Sequence, residues 1–283
     1  MNIIQTQNKP PVPPAVVYHY CSLSSFYNIV RSKTLRFMSA FYSNDFLEGK
    51  DILNILNQTI RNLPLSDYER KNIMDGVTLA QINISPTYII SFSELQDNLG
   101  QWRGYADEGK GVAIGFQSKF FSSFSPSPHR YQIPLTDESC GFMKILYDDE
   151  SKKAFINTII QSMISATPFE KNSSAIFLAH MACIFKHPSF TEEKEWRLVF
   201  LPFEHPSILQ EKYENNKKIN PNIQYINRNN RIVPFYELNL TKDAFAHIIL
   251  GPKNPSSEYD ISNFLISNQL GNIPIYRSRA PYI

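Results

Sequence analysis

Five of the ten glycines in this 283-residue chain, Gly100, Gly104, Gly109, Gly111 and Gly115, fall inside one short stretch, 88–116. The stretch begins with an apolar run that ends in two hydroxyls, Ser91 and Ser93. A polar turn follows, then Trp102, Arg103 and Tyr105, and a glycine-spaced apolar segment closes it. Glycine permits positive φ and close backbone approach, so this is where an unusual backbone course is expected. Strands are read at 87–93 and 111–116, and the segment between them is too polar and too glycine-punctuated for a long helix.

The rest of the chain reads the same way. Residues 16–20 are β-branched and aromatic around His19 and predict a short buried strand. Ser22 or Ser24 is placed to cap a helix whose Leu23, Phe26, Tyr27 and Val30 keep helical spacing. Further strands are expected at 34–38, 143–147, 195–200, 232–240, 246–250 and 273–276. Helices are expected from 51, from 66 through about 79 behind the capping box Ser66-x-x-Glu69, and at 152–165, 174–185 and 257–270. The two helices between 51 and 79 are read as a cover over the core, the arm 1–15 as extended because of its prolines, and 207–230 as a mobile polar loop. About nine strands scattered among helices, without βαβ alternation, predict an α+β fold of mixed or antiparallel sheets with helical insertions. No composition break marks a linker, so 16–283 is read as one domain.

Composition narrows the function classes. With 42% hydrophobic residues, 20 Phe and 15 Tyr, there is ample material for a core. Lys and Arg number 28 against 26 Asp and Glu, a balance of +2 that makes no global electrostatic case for nucleic acid. Cys21, Cys140 and Cys183 are too scattered for a disulfide framework or a structural zinc site, which suggests a reducing compartment. The N-terminal segment lacks the apolar centre of a signal peptide, and no apolar run reaches the roughly 20 residues that span a bilayer. A soluble cytoplasmic protein with no membrane partner is expected.

No G-x-S-x-G elbow, phosphate loop or H-E-x-x-H pair is present, and the six histidines are not paired at metal-ligand spacing. What stands out is polar residues set into apolar strands: His19, Ser91, Ser93, Arg103, Glu195 and Arg197. Such placement costs free energy unless the groups are paired or used. In Glu195-Trp196-Arg197-Leu198-Val199-Phe200 the alternation sends Trp196, Leu198 and Phe200 one way and Glu195 with Arg197 the other, onto a face expected to border a cleft. Each residue also has a plain structural explanation. A histidine at a strand end is commonly a hydrogen-bonded structural group, alternating serines line wet faces, Trp102 suits a core, Arg103 can neutralise Asp107 or Glu108, and Glu195 belongs to a charged run.

Taken together, Tyr18-His19-Tyr20-Cys21-Ser22-Leu23, Ser91-Phe92-Ser93, Gln101-Trp102-Arg103-Gly104-Tyr105, Gly111-Val112-Ala113-Ile114-Gly115-Phe116, Glu195-Trp196-Arg197-Leu198, Ile248-Ile249-Leu250-Gly251-Pro252 and the final Ser278-x-x-Pro281-Tyr282 resemble a widespread bacterial domain family. In outline that family looks like the ADP-ribosyltransferase superfamily. The resemblance implies two small sheets forming a split cleft that binds NAD as substrate, and three elements in chain order. His19 matches the first, a strand with His or Arg. Ser91 with Ser93 matches the second, for which Tyr105 is the rival, and Glu195 matches the third, preceded by Glu193 in a Glu-x-Glu pattern.

The implied catalytic residues are Glu195, His19, Ser91 and Ser93. Those implied for NAD are His19, Tyr20, Trp102, Arg103, Tyr105 and Arg197, with no metal. Glu195 would stabilise the oxocarbenium-like state formed as nicotinamide leaves the ribose, and Arg103 or Arg197 would fork onto the pyrophosphate. The implied role is a bacterial toxin or phage-defence effector that modifies a macromolecule, RNA, DNA or protein, and is held in check by an antitoxin or inhibitor protein. Two rival readings from other classes are a non-catalytic nucleotide- or peptide-binding sensor module and a metal-independent nuclease using His19, Glu195 and Arg197. The transferase reading expects His19 and Glu195 to face each other across one hollow.

Overall fold

The computed structural model describes residues 11–40, 51–83, 87–122, 140–164, 174–175, 177–201, 219–228 and 230–282. Ten strands form one open, mostly antiparallel sheet: β1 (Val16–Cys21), β2 (Thr34–Ser39), β3 (Tyr88–Ser93), β4 (Val112–Gln117), β5 (Cys140–Lys144), β6 (Glu195–Phe200), β7 (Ile219–Arg228), β8 (Arg231–Asn239), β9 (Phe245–Leu250) and β10 (Ile275–Arg277). The helices are α1 (Leu23–Ser32), α2 (Asp51–Arg61), α3 (Asp67–Asn83), α4 (Leu99–Tyr105), α5 (Ser118–Ser122), α6 (Asp149–Ile164) and α7 (Glu258–Ser267). Of the expected extended arm, residues 1–10 lie outside the described residues.

Side-chain caps fix where the helices begin. Ser22 accepts from the Ser25 N–H at 3.1 Å to open α1, and Ser257 from the Asp260 N–H at 3.1 Å to open α7. The capping box before α3 is reciprocal: the Glu69 carboxylate accepts from the Ser66 N–H at 2.8 Å, and the Ser66 hydroxyl accepts from the Glu69 N–H at 3.3 Å.

The sheet runs β10-β9-β4-β1-β3-β2-β8-β7, with β6 and then β5 attached to β3. Strand β3 is therefore a branch point. Along one edge all six of its residues pair with β6. On its other edge, Ser93 pairs with Tyr18 of β1, while Tyr88 and Ile89 pair with Ser39 and Met38 of β2. Residues 90–92 have no ladder partner on that edge, so β1 and β2 diverge there.

The two faces of this sheet differ. One carries a continuous core in which Val17, Ile90, Phe92, Ile114, Phe116, Phe142, Trp196, Leu198, Phe200 and Leu250 pack together. The reverse face carries two separate clusters. One gathers Tyr18, Tyr20, Trp102, Ala113 and Ile249 beneath α4. The other joins Ile89 and Val199 to Leu56, Ile60, Ile73, Val77, Ile156 and Ile160 from α2, α3 and α6. Between them, on the same side of β3 and β6, lie Ser91, Ser93, Glu195 and Arg197.

Three expectations are corrected. Helices α2 and α3 are not a cover: their apolar stripe builds the second core. Within the expected loop 207–230, residues 207–218 lie outside the described residues, whereas 219–228 form β7, paired with β8. A polar strand suffices at this sheet edge because backbone pairing to β8, rather than side-chain burial, holds it. The strand expected at 143–147 starts earlier, at Cys140; the helix expected at 174–185 is present at 174–175 and 177–180 and ends in a 3₁₀ segment at Met181–Ile184.

Candidate functional site

Glu195 is the first residue of β6 and sits opposite Ser93; Arg197 sits opposite Ser91. Residues two apart on a strand share a face, which lets the guanidinium fold back onto the carboxylate. Arg197 Nε lies 2.6 Å from Glu195 Oε1 and Nη2 3.0 Å from Oε2, a bidentate fork. Lys186 Nζ adds a second cation, 3.1 Å from Glu195 Oε2 and 2.5 Å from Glu193 Oε2. Tyr105, at the end of α4, donates its hydroxyl to Glu193 Oε1 at 3.0 Å. The Tyr147 hydroxyl accepts from the Glu195 N–H at 2.9 Å, and Arg197 Nη1 donates to the Cys183 carbonyl. Ser93 ties in the connection before β6, donating to the Glu193 carbonyl at 2.7 Å while accepting from the Leu95 N–H at 3.1 Å.

Lys186, Arg197 and Glu195 are 1%, 3% and 5% exposed, so charges normally solvated have been taken out of water together. Among the described residues two carboxylates face two cations, and such a balance is the condition under which burial of charge is tolerable. Burial by itself pushes the Glu195 carboxyl upward. The charge and hydrogen bonds of Arg197, the charge of Lys186 and the hydroxyl of Ser91 outweigh it and hold the group below the usual carboxylate range. Burial pushes the neighbouring Tyr147 phenol up to about 12. Glu195 is therefore ionised at neutral pH.

Ser91 connects this network to β1. Its hydroxyl reaches Glu195, and its carbonyl, left without a ladder partner where β1 and β2 diverge, accepts from His19 Nδ1 at 2.9 Å. A neutral imidazole protonated on Nδ1 keeps its lone pair on Nε2, and burial pushes the ring below the usual histidine range, favouring that neutral form. Ser91 is exposed although its chain neighbours Ile90 and Phe92 are buried, so solvent reaches the middle of β3 at this point.

The expectation that His19 and Glu195 face each other is corrected by the register. Tyr18, Ser93 and Glu195 stand abreast on one face. His19, one residue further on, turns to the other face, where its ring centroid is 6.0 Å from that of Phe92. Imidazole and carboxylate are joined through Ser91, by its backbone on one side and its side chain on the other.

The residues expected to contact NAD divide. Tyr20 and Trp102 are core: their rings meet edge to face at 4.8 Å, the Tyr20 hydroxyl donates to the Leu95 carbonyl at 2.8 Å, and Trp102 Nε1 donates to Asp97 at 2.6 Å. Trp102 is fully buried and forms no open stacking platform. Arg103 lies on the surface 4.9 Å from the ring centre of Tyr282 and is not brought to Glu195. Tyr105 does reach the network, through Glu193, while Arg197 is spent on Glu195 and Cys183. Lys186 and Tyr147 escaped the sequence reading. The one signal for Lys186 was a cation directly after the apolar Cys183-Ile184-Phe185.

Among the described residues, no group of three or more His, Cys, Asp and Glu side chains is arranged to hold a metal ion, and no helix is long and apolar enough to cross a membrane. Neither the curated proteins nor the solved structures searched contain a match to the chain. A family model described as a protein of unknown function, DUF2971, matches residues 101–198. The match runs from α4 into β6 and so takes in Tyr105, Lys186, Glu193, Glu195 and Arg197, the greater part of the buried network.

Proposed function

We propose that the protein is an NAD-dependent ADP-ribosyltransferase whose reaction centre lies where β1, β3 and β6 adjoin. The observation that carries this reading is adjacency. The strands bearing His19, Ser91 with Ser93, and Glu195 are far apart in the chain yet neighbours in the sheet, and Ser91, which touches the other two residues, is open to solvent. In this reading the ionised Glu195 stabilises positive charge developing on the ribose as the bond to nicotinamide breaks. Arg197 and Ser91 hold the carboxylate, and His19, on the reverse face of the sheet, braces the Ser91 backbone through its carbonyl. What supports this reading is the contact of Ser91 with Glu195, with Ser93 and His19 as scaffold around it.

The acceptor is a macromolecule, nucleic acid or protein, consistent with an effector role under the control of an inhibitor protein. Glu195→Gln is expected to lower nicotinamide release from NAD about 100-fold to 1,000-fold, the usual loss on removing one such electrostatic partner. Mass spectrometry of released nicotinamide checks it, and wild-type turnover in that variant removes Glu195 from the mechanism.

One observation favours a second reading. Both oxygens of Glu195 are occupied by cations in a buried setting, as in a purely structural ion-pair network, which fits a non-catalytic nucleotide-binding module. Calorimetric NAD binding by wild type without nicotinamide release selects that reading.

A further inference from the structure

The carboxylates of Glu193 and Glu195 share one cation. Lys186 Nζ stands 2.5 Å from one and 3.1 Å from the other, and its side chain is 1% exposed, closed off from water. It enters from the segment preceding β6 by way of a 3₁₀ turn, Pro188–Glu193, whose Phe190 ring lies 4.8 Å from the ammonium. We infer that Lys186 is a positioning residue for the proposed transfer: the common counter-ion that keeps the Glu193 and Glu195 side chains charged together and holds Glu195 beside Ser91. This rests on the proposed function for its catalytic consequence, but the pairing itself does not.

The physical argument is charge balance. Among the described residues, the groups facing Glu195 are Arg197 on its own strand, Ser91 on β3, Tyr147 beyond β5, Cys183 and Lys186; those facing Glu193 are Lys186, Tyr105 and Tyr147. Of these only Arg197 and Lys186 carry positive charge. Removing Lys186 leaves two neighbouring carboxylates with one cation, and like charges at short range cannot both stay ionised at ordinary cost, so one group takes up a proton. Removing the Glu193 charge as well restores the balance around Glu195 and Arg197.

The test compares Lys186→Met, Lys186→Arg and the double variant Lys186→Met/Glu193→Gln. Nicotinamide release from NAD is followed from pH 4 to 9, together with thermal unfolding over the same range. The expected result is an acid limb of the rate profile moved up by about 1 to 3 pH units in Lys186→Met. In the double variant the limb returns toward wild type, and Lys186→Arg stays close to wild type. In unfolding, the deficit of Lys186→Met is expected to be largest at neutral pH and to shrink on acidification, with partial recovery in the double variant. A Lys186→Met profile that overlays wild type, or a double variant no better than the single one in either measurement, overturns the inference. Should wild type release no nicotinamide, the proposed reaction falls and the unfolding comparison still decides whether Lys186 is the shared counter-ion. If Lys186→Met fails to fold, recovery of folding by Glu193→Gln supports the inference, and its failure counts against it.

Discussion

The two faces of β3 and β6 are made from the same twelve residues and solve opposite problems. On one, Phe92 and Trp196 meet Phe142, Phe116 and Phe121 in an aromatic cluster, with Phe142 stacked on Trp196 at 5.2 Å. On the other, Ser91, Ser93, Glu195 and Arg197 hold a charge network between two apolar clusters. The aromatic face is stable because water is excluded from apolar area, an effect with no directionality and little dependence on pH. The polar face is tolerated only because each charge has its partner, and it contributes less to stability than apolar side chains of the same volume would. Charge kept in the interior at that cost is the property on which the proposed reaction centre rests.

The largest effects expected from breaking this comparison are on stability. Arg197→Met leaves Glu195 buried with one cation, and Phe142→Ala opens a cavity beside Phe92, Phe121 and Trp196. Each is expected to cost about 3–5 kcal/mol in denaturant unfolding. The pH dependence tells them apart. Once the Glu195 carboxyl is protonated no unpaired charge remains, so the Arg197→Met deficit narrows on acidification while the Phe142→Ala deficit stays constant. Equal behaviour of the two variants would remove the distinction drawn between the faces.

A somewhat smaller effect concerns His180, which lies within the second apolar cluster's surroundings and whose Nδ1 is 2.8 Å from the Thr87 hydroxyl. Burial pushes this imidazole down to about 4. Because the unfolded chain takes up the proton first, near its ordinary value of 6.5, stability contributed by the neutral ring is whole above that pH and is lost as pH falls toward 4. The loss amounts to about 3 kcal/mol at about 1.4 kcal/mol per pH unit. Unfolding free energy against pH checks it, and His180→Asn is expected to flatten the curve over that window. The smallest effect is at the rim of the same cluster, where Ser66→Ala removes one arm of the capping box before α3 and is expected to cost about 1 kcal/mol.

Much of this was legible from the residues. The alternation in β6 put Trp196 and Glu195 on opposite faces, and the reciprocal cap at Ser66 and Glu69 formed where the spacing predicted it. The strand around His19 also stands where expected, while the glycine-punctuated stretch between β3 and β4 carries only the short helix α4. What failed has a common cause. The periodicity of α2 and α3 revealed an apolar stripe but not what it would pack against, and the polar sequence of β7 concealed a strand because its order comes from pairing with β8. At the site, Lys186, Tyr147 and Tyr105 reach Glu193 and Glu195 from three different segments, and no local pattern encodes such a meeting.

The amino-acid sequence by itself determined which residues share a face, because side-chain direction along a strand follows from a two-residue period. It also determined where helices begin, because a cap is a contact between residues three apart. Only the tertiary structure decided that β3 carries β1 and β2 on one edge and β6 on the other, which turned His19 away from Glu195 and made Ser91 the link between them. Strand order and long-range ion pairing depend on free energy gained between segments scores of residues apart, and that information is distributed over the whole core rather than written at any one position.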